Sequence, residues 1–516
     1  MRVRSLALWA ALGVLSTSAA ALAIPVPATP VQGTTIRTEP TSTTGGATQG
    51  ELAHFTAGQT LTVDARLGHA SMRRLVGAGA QGETFVFASV TGADAATQTP
   101  TVNLALVIDR SGSMFGKKIA NAIAAAVGSV DRMRDGDSVT VVSFDTAASV
   151  VVAPTRITPS SRPSIMAAIR NIRLGGDTCI SCGLETAMSQ LESVPAPPSG
   201  HDQVSRMILL SDGEATHGIK DIPGVRGLAT RMRDRGVTIS TVGVDVHFDE
   251  QFMSAIAVES NGRHYFVADP SGLQAIFTEE FESLEAALAR DAELVIDPAP
   301  GVVVEEVFER SFRREGNRII VPFGTFSARQ EKTVLMRVRA PIDREGVQGV
   351  AQMRLAYRDL IQKTAGTCAG NLAFEVKTDG TEQQGVDPFV GARIARSHTA
   401  AALTTANSLF KAGKIDAARA TLAQQQADLK KDETQALNAA PAAPSKARGR
   451  NLNDDFKAQE DAIAQAQAGF SAPTATAAPG VAGGGPSPPA AAPAPTNAAG
   501  QGAVRQNQSK ATDLAF

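Results

Sequence analysis

The segment Asp109-Arg110-Ser111-Gly112-Ser113 places one carboxylate and two hydroxyls within five residues, directly after a nearly continuous apolar run from Val102 to Ile108. Such a run has the form of a strand buried on both faces. In an open α/β sheet, ligands bind outside the carboxyl ends of the strands, beside the point where strand order reverses. Hard oxygen donors of low total charge at that place suit Mg²⁺, which keeps several waters and leaves positions for another ligand. Gly112 eases the tight turn this requires. Taken alone, the same pentapeptide also reads as an Asx turn capping the next helix.

Two further segments bear on that choice. Gly175-Gly176-Asp177-Thr178 precedes a helical start at Ile180 to Leu184, and Leu209-Leu210-Ser211-Asp212-Gly213 sets a second Asp at the end of another apolar strand. Asp109, Ser111, Ser113, Thr178 and Asp212 are therefore expected on one edge of the sheet. No H-x-x-x-H or H-E-x-x-H spacing supports zinc, although His217, His247 and His264 could approach the same edge. Ser211-Asp212-Gly213 has no accompanying G-x-S-x-G elbow, which argues against a hydrolase.

Over roughly residues 100 to 288 this order of D-x-S-x-S, then Thr, then Asp resembles a von Willebrand factor type A (VWA) domain, and the five residues match its metal-ion-dependent adhesion site (MIDAS). Thr241-Val242-Gly243-Val244 followed by Phe248-Asp249-Glu250 extends the likeness. The resemblance implies that Ser111, Ser113 and Thr178 hold a cation by their hydroxyls, with Asp109 and Asp212 acting partly through water. It implies Mg²⁺, or Mn²⁺ or Ca²⁺, with an acidic side chain of a partner protein completing the coordination, and a binding rather than an enzymatic role. Two departures add negative charge near the rim: Asp177 between the Gly pair and Thr178, and Asp245 where the family often has Gly. They could raise cation affinity, reduce affinity for an acidic ligand, or be solvated surface, and the last is the preferred reading.

Elements that would position these residues alternate through the middle of the chain. Ile119, Ile123, Val127 and Val130 fall at helical spacing, Val139 to Phe144 and Ala148 to Val152 read as paired strands, and Arg206 to Leu210, Val237 to Val242 and Arg263 to Val267 are short apolar strands. Alternating strands and helices imply a mostly parallel sheet covered on both faces. A helix is expected to end near Arg290. Beyond it, apolar segments with Gly and Pro punctuation from Ala292 to Val376 read as an antiparallel sandwich, which the strands at Leu61 to Val63 and Glu83 to Phe87 would complete.

The expected fold class is multidomain α/β plus β: a doubly wound, Rossmann-like domain inserted in a β-sandwich, then a helical hairpin and a disordered tail. The expected segments are a signal peptide over 1–23, a flexible leader over 24–58, sandwich strands over 59–99, the inserted domain over 100–290, the main sandwich over 291–378, a hairpin over 386–432 and a largely disordered Ala/Pro/Gly-rich tail over 433–516. The hairpin starts at Asp387-Pro388 and turns at Gly413, and within the tail a weak helix is expected near Asp455 to Ala466.

The start of the chain carries Arg2 and Arg4, an apolar run from Leu6 to Leu15 and Ala21-Leu22-Ala23, the layout of a cleaved secretory signal. The protein is accordingly expected to be exported, either periplasmic or secreted to the cell surface, as in exported bacterial proteins of the VWA class, and no other stretch of about 18 apolar residues suggests a membrane span in the mature chain. With 49 Lys and Arg against 51 Asp and Glu, the 516 residues carry a formal charge of −2, which excludes the basic footprint of a general nucleic-acid binder. The 3 cysteines are too few for a disulfide scaffold. Cys179 and Cys182 form a C-x-x-C beside Thr178, at a helix start where a thiolate is stabilised, while an oxidising compartment favours a local disulfide. Cys368 would be left over.

The arrangement resembles the inserted adhesion domains of integrin β chains and inter-α-trypsin inhibitor heavy chains. The favoured reading is an exported, non-enzymatic adhesion or assembly protein. A thiol-disulfide protein using Cys179 and Cys182, or an envelope-assembly adaptor acting through the helical hairpin, are the alternatives.

Overall fold

The computed structural model describes residues 52–77, 79–94, 100–194, 202–383, 385–439, 451–471 and 498–515. The segment expected to be a signal peptide and most of the expected leader lie outside these residues. The first described strands are β1 (His54–Gly58), β2 (Leu61–Leu67), β3 (Ser71–Arg73) and β4 (Gln81–Gly92). β1 falls inside the span expected to be a flexible leader. It pairs antiparallel with β2 and turns Phe55 and Ala57 into a core, which is why it is ordered.

An α/β unit follows. Its elements are β5 (Thr101–Asp109), α1 (Lys117–Arg132), β6 (Ser138–Phe144), β7 (Ala148–Arg156), α2 (Ser161–Arg170), α3 (Ile180–Glu192), β8 (Gln203–Ser211), α4 (Ile222–Arg233), β9 (Val237–Val244), α5 (Glu250–Glu259), β10 (His264–Val267) and α6 (Leu273–Glu285). Its six strands run in the order β10-β9-β8-β5-β6-β7, parallel except for β7 at one edge. β5 is central and apolar on both faces. Leu104, Leu106 and Ile108 meet α1 and α6 through residues such as Ala122, Ala126 and Phe277, whereas Ala105 and Val107 meet α3 at Ile180 and Leu184. Each large aliphatic side chain so buried contributes roughly 1.5–3 kcal/mol, which fixes the strand's position and with it the place where Asp109 emerges. The chain leaves β5 toward β6 on one side and returns to β8 on the other, so strand order reverses between β5 and β8.

The remaining strands are β11 (Ala287–Pro298), β12 (Val303–Val307), β13 (Arg313–Glu315), β14 (Arg318–Ser327), β15 (Glu331–Pro341), β16 (Gly346–Asp359) and β17 (Thr364–Lys377). They build two sheets, β1-β2-β4-β15-β12 and β13-β14-β11-β16-β17-β3, around one apolar core. β4 pairs antiparallel with β15 along its whole length, from Gln81 opposite Pro341 to Thr91 opposite Glu331. Strands before the α/β unit thus bond directly to strands after it, and the unit is inserted in a β-sandwich. The helix expected to reach Arg290 stops earlier: α6 ends at Glu285 and β11 starts at Ala287, whose apolar residues through Ala289 go into the cores.

Among the described residues four helices follow: α7 (Pro388–Lys411), α8 (Ile415–Ala439), α9 (Leu452–Ser471) and α10 (Ala498–Ala515). Asp387 caps α7 by accepting from the amides of Phe389 and Val390, and Gly413 turns the chain into α8 at φ +75°. The tail expected to be largely disordered from residue 433 is helical in 433–439, in α9 and in α10, the rest of it lying outside the described residues. Its composition hides a stripe: Phe456, Ile463 and Phe470 recur every seven residues and bury against Leu403, Phe410 and Leu422 of α7 and α8. The Phe410 and Phe470 rings stack at 4.2 Å. A helix pair with an unfilled apolar face therefore recruits two more helices. α10 also reaches the α/β unit, where the Thr512 and Ser254 hydroxyls are 2.8 Å apart. Among the described residues no helix is long and apolar enough to cross a membrane.

Candidate functional site

Asp109 ends β5 and is fully buried. One of its carboxylate oxygens accepts the Ser111 amide at 2.8 Å and the other accepts the Ser211 hydroxyl. Burial pushes its pKa up to about 6, against the opposing hydrogen bonds from Ser111 and Ser211. The amide bond from Ser111 folds residues 109–113 back over the strand end, so the two serine hydroxyls lie 3.0 Å from each other. Ser113 Oγ then donates to Asp212 Oδ1 at 2.7 Å. Asp212, also fully buried, follows β8, the strand beside β5 across the reversal point.

Thr178 comes from the loop before α3. Its amide donates to Thr216 Oγ1 at 2.9 Å, and its carbonyl accepts the amides of Thr216 and His217. Its hydroxyl faces the same space as the serines: a methyl group placed on Gly213 would lie 3.2 Å from Thr178 Oγ1 and 3.5 Å from Ser113 Oγ. The structure therefore gathers Asp109, Ser111, Ser113, Thr178 and Asp212 at one strand edge, around a cradle that a side chain at position 213 would fill. Hydroxyls beside two carboxylates are hard donors that fit Mg²⁺ or a similar cation. Among the described residues no group of three His, Cys, Asp or Glu side chains is gathered for a metal.

The loops carrying these residues are laced together. The Gly112 amide donates to Gly176 O at 2.9 Å and the Gly175 amide to Arg110 O at 2.7 Å. Beneath them Asp145, just past β6, pairs with Arg110 at 2.9 Å and accepts the Cys179 amide on its carbonyl. A Cβ on Gly175 would fall 1.7 Å from the Asp145 carboxylate, so only glycine permits this approach. Cys179 and Cys182 are joined in a disulfide behind Thr178, with Cys179 buried, and Cys368 is a buried free thiol in the sandwich.

Sequence reasoning missed two participants, Asp145 and Lys118. Lys118, in the first turn of α1, donates to Asp212 Oδ2 at 2.6 Å and lies 3.0 Å from Asp245. Burial works to lower its pKa, but the two carboxylates outweigh this and hold it above the usual lysine range. Asp245 is thus no freely solvated rim residue, and despite its partial burial Lys118 holds its carboxyl below the ordinary value. Asp177, in contrast, is largely exposed, 3.8 Å from His217. The three histidines do not converge: His217 and His247 are exposed, whereas His264 is buried at the start of strand β10 with Nδ1 2.9 Å from Thr241 Oγ1.

A family model described as the von Willebrand factor type A domain matches residues 103–279. An uncharacterized protein of Synechocystis sp. is 27% identical over 268 residues, covering 50% of this chain and 62% of that protein. The inter-alpha-trypsin inhibitor heavy chain H1 of Sus scrofa is 25% identical over 268 residues, covering 51% of this chain but 28% of its own. The chain thus spans less than two thirds of these relatives' length. A solved structure, a von Willebrand factor type A protein from Catenulispora acidiphila, superposes with a TM-score of 0.61 at 18% identity over 79% of this chain and 97% of that one. At that identity the likeness is one of fold.

Proposed function

We propose, from the premise that this protein carries a von Willebrand factor type A domain over residues 103–279, that it is an exported, non-enzymatic adhesion or assembly protein whose domain grips an acidic residue of a partner through a divalent cation. The family is one of protein interaction and adhesion. Ser111, Ser113 and Thr178 would hold the cation by their hydroxyls, with Asp109 and Asp212 supplying negative charge around it. Bound there, the cation supplies a positive centre with room for a carboxylate from outside.

The single observation that carries this reading is the convergence of three hydroxyls and two buried carboxylates around the Gly213 cradle, at the reversal point of the sheet. Phe115, 76% exposed just after Ser113, offers an apolar contact beside the cation. The chain's remaining residues do supporting work: Asp145 ties the loops together, and the disulfide anchors the segment bearing Thr178. A thiol-disulfide function is less well supported, because Cys179 is shut away from solvent behind the site. Export, to the periplasm or beyond, rests on the signal-like start of the sequence.

The test is capture of partners from envelope extract on the immobilised protein, with Mg²⁺ and with chelator, using wild type and a Cys179→Ser, Cys182→Ser variant. Partners released by chelator and retained by the cysteine variant support the reading. Partners indifferent to chelator and lost with the cysteines would replace it with the thiol-disulfide function.

A further inference from the structure

We propose that Lys118 is a tethered counter-cation of the metal site, and that Asp245 is the carboxylate that keeps its ammonium when a divalent cation takes over the charge of Asp212. This rests on the cation-binding reading above, which itself assigns no role to either residue.

Three independent observations point to it. First, one ammonium bridges both carboxylates, at 2.6 Å to Asp212 and 3.0 Å to Asp245, while Asp212 gives its other oxygen to Ser113. Second, Lys118 stands in the first turn of α1, which carries no acidic residue of its own. The positive end of the helix dipole disfavours a lysine there, so this one is held by the acids across the loop rather than by its helix. Third, Asp245 has a left-handed backbone at φ +65°, a conformation that favours glycine and that aspartate adopts with some strain. The strained turn aims its carboxylate at Lys118 from the end of β9, with the other oxygen accepting the Val246 amide at 2.8 Å.

The consequence is an exchange of charge. Without a divalent ion the ammonium neutralises Asp212, a buried carboxylate that would otherwise lack a charge partner. When the divalent ion arrives, two cations share the neighbourhood of Asp212 and repel. Asp245 limits that repulsion by retaining the ammonium. Lys118 therefore stabilises the cation-free protein and weakens its hold on the cation, and Asp245 moderates the second effect.

Calorimetric titration of the full chain with Mn²⁺, paired with thermal melts in chelator, tests this on wild type, Lys118→Met and Asp245→Gly. Lys118→Met should melt lower in chelator yet bind Mn²⁺ more tightly by roughly tenfold, as expected for removing a like charge a few ångströms away. Asp245→Gly, which relieves the left-handed backbone, should melt no lower in chelator and bind Mn²⁺ roughly tenfold more weakly, because Lys118 is left wholly on Asp212. Unchanged or weaker binding in Lys118→Met, or unchanged binding in Asp245→Gly, overturns the counter-cation role while leaving the cation site standing. Failure of the wild type to take up Mn²⁺ overturns both.

Discussion

Ser113 Oγ donates to Asp212 Oδ1 at 2.7 Å, joining residues 99 positions apart in the chain. The contact exists because β5 and β8 are parallel neighbours in register, Ile108 opposite Leu210, so the loops that follow them leave the sheet side by side. The carboxylates at these two strand ends are buried and hydrogen-bonded, which sets their geometry before any ligand arrives.

His264 gives the fold a defined pH response. Burial pushes its pKa down to about 3, from an ordinary value near 6.5. Between those values the unfolded chain binds a proton at this residue and the folded chain does not. Stability is therefore full above pH 6.5 and falls as pH drops toward 3, at about 1.4 kcal/mol per pH unit. Urea unfolding at pH 7.5 and pH 5.0 should show a pH-dependent loss that is about 2 kcal/mol smaller in His264→Gln than in wild type. Equal losses in the two proteins would mean that His264 takes up its proton in the folded state.

Cys368 should be chemically silent. It is buried in the sandwich, burial pushes its thiol pKa up to about 11, and the other two cysteines are joined. Since the thiolate is the reactive form, a thiol reagent at pH 8 should label no cysteine of the native oxidised protein, and Cys368 alone after denaturation. Labelling of Cys179 or Cys182 without prior reduction would show an open disulfide.

Arg505 pins the last described helix to the α/β unit. Its guanidinium donates to Phe248 O at 2.8 Å and lies over the Phe248 ring, 5.4 Å from the centroid. Truncation to alanine removes a charge-assisted bond and a cation–π contact, and should cost about 1–3 kcal/mol. Hydrogen exchange is the direct readout: amides of α10 should lose protection in Arg505→Ala while those of β5 keep it. Unchanged α10 protection would mean that the helical core around Phe410 and Phe470, with the Thr512–Ser254 contact, holds the helix without Arg505.

What could be read ahead of the structure follows from where information sits. The α/β alternation is written in local apolar runs, and Asp109, Ser111, Ser113, Thr178 and Asp212 stand at the ends of such runs, in short patterns with an obvious chemical use. Lys118 has no such mark, for it looks like any surface lysine beside Lys117, and only the meeting of α1 with the ends of β8 and β9 reveals its partners. Asp145 was hidden likewise, as one polar residue in the turn between two strands. α9 is legible only as a weak helix near Asp455 to Ala466 and α10 not at all, because the average composition points to disorder, while three apolar residues seven apart on α9 suffice once α7 and α8 offer them a face.

The proposed function requires that the hydroxyls and carboxylates around Gly213 hold a divalent cation. Its most direct test is a thermal melt of wild type, Asp109→Ala and Thr178→Ala with and without Mg²⁺ or Mn²⁺. Cation at a hundredfold excess over its Kd should stabilise the wild type by about 2.7 kcal/mol. Both variants should fold, since the sheet core does not include these side chains, and should lose that stabilisation. A cation shift as large in Asp109→Ala and Thr178→Ala as in wild type would place the cation elsewhere and contradict the account.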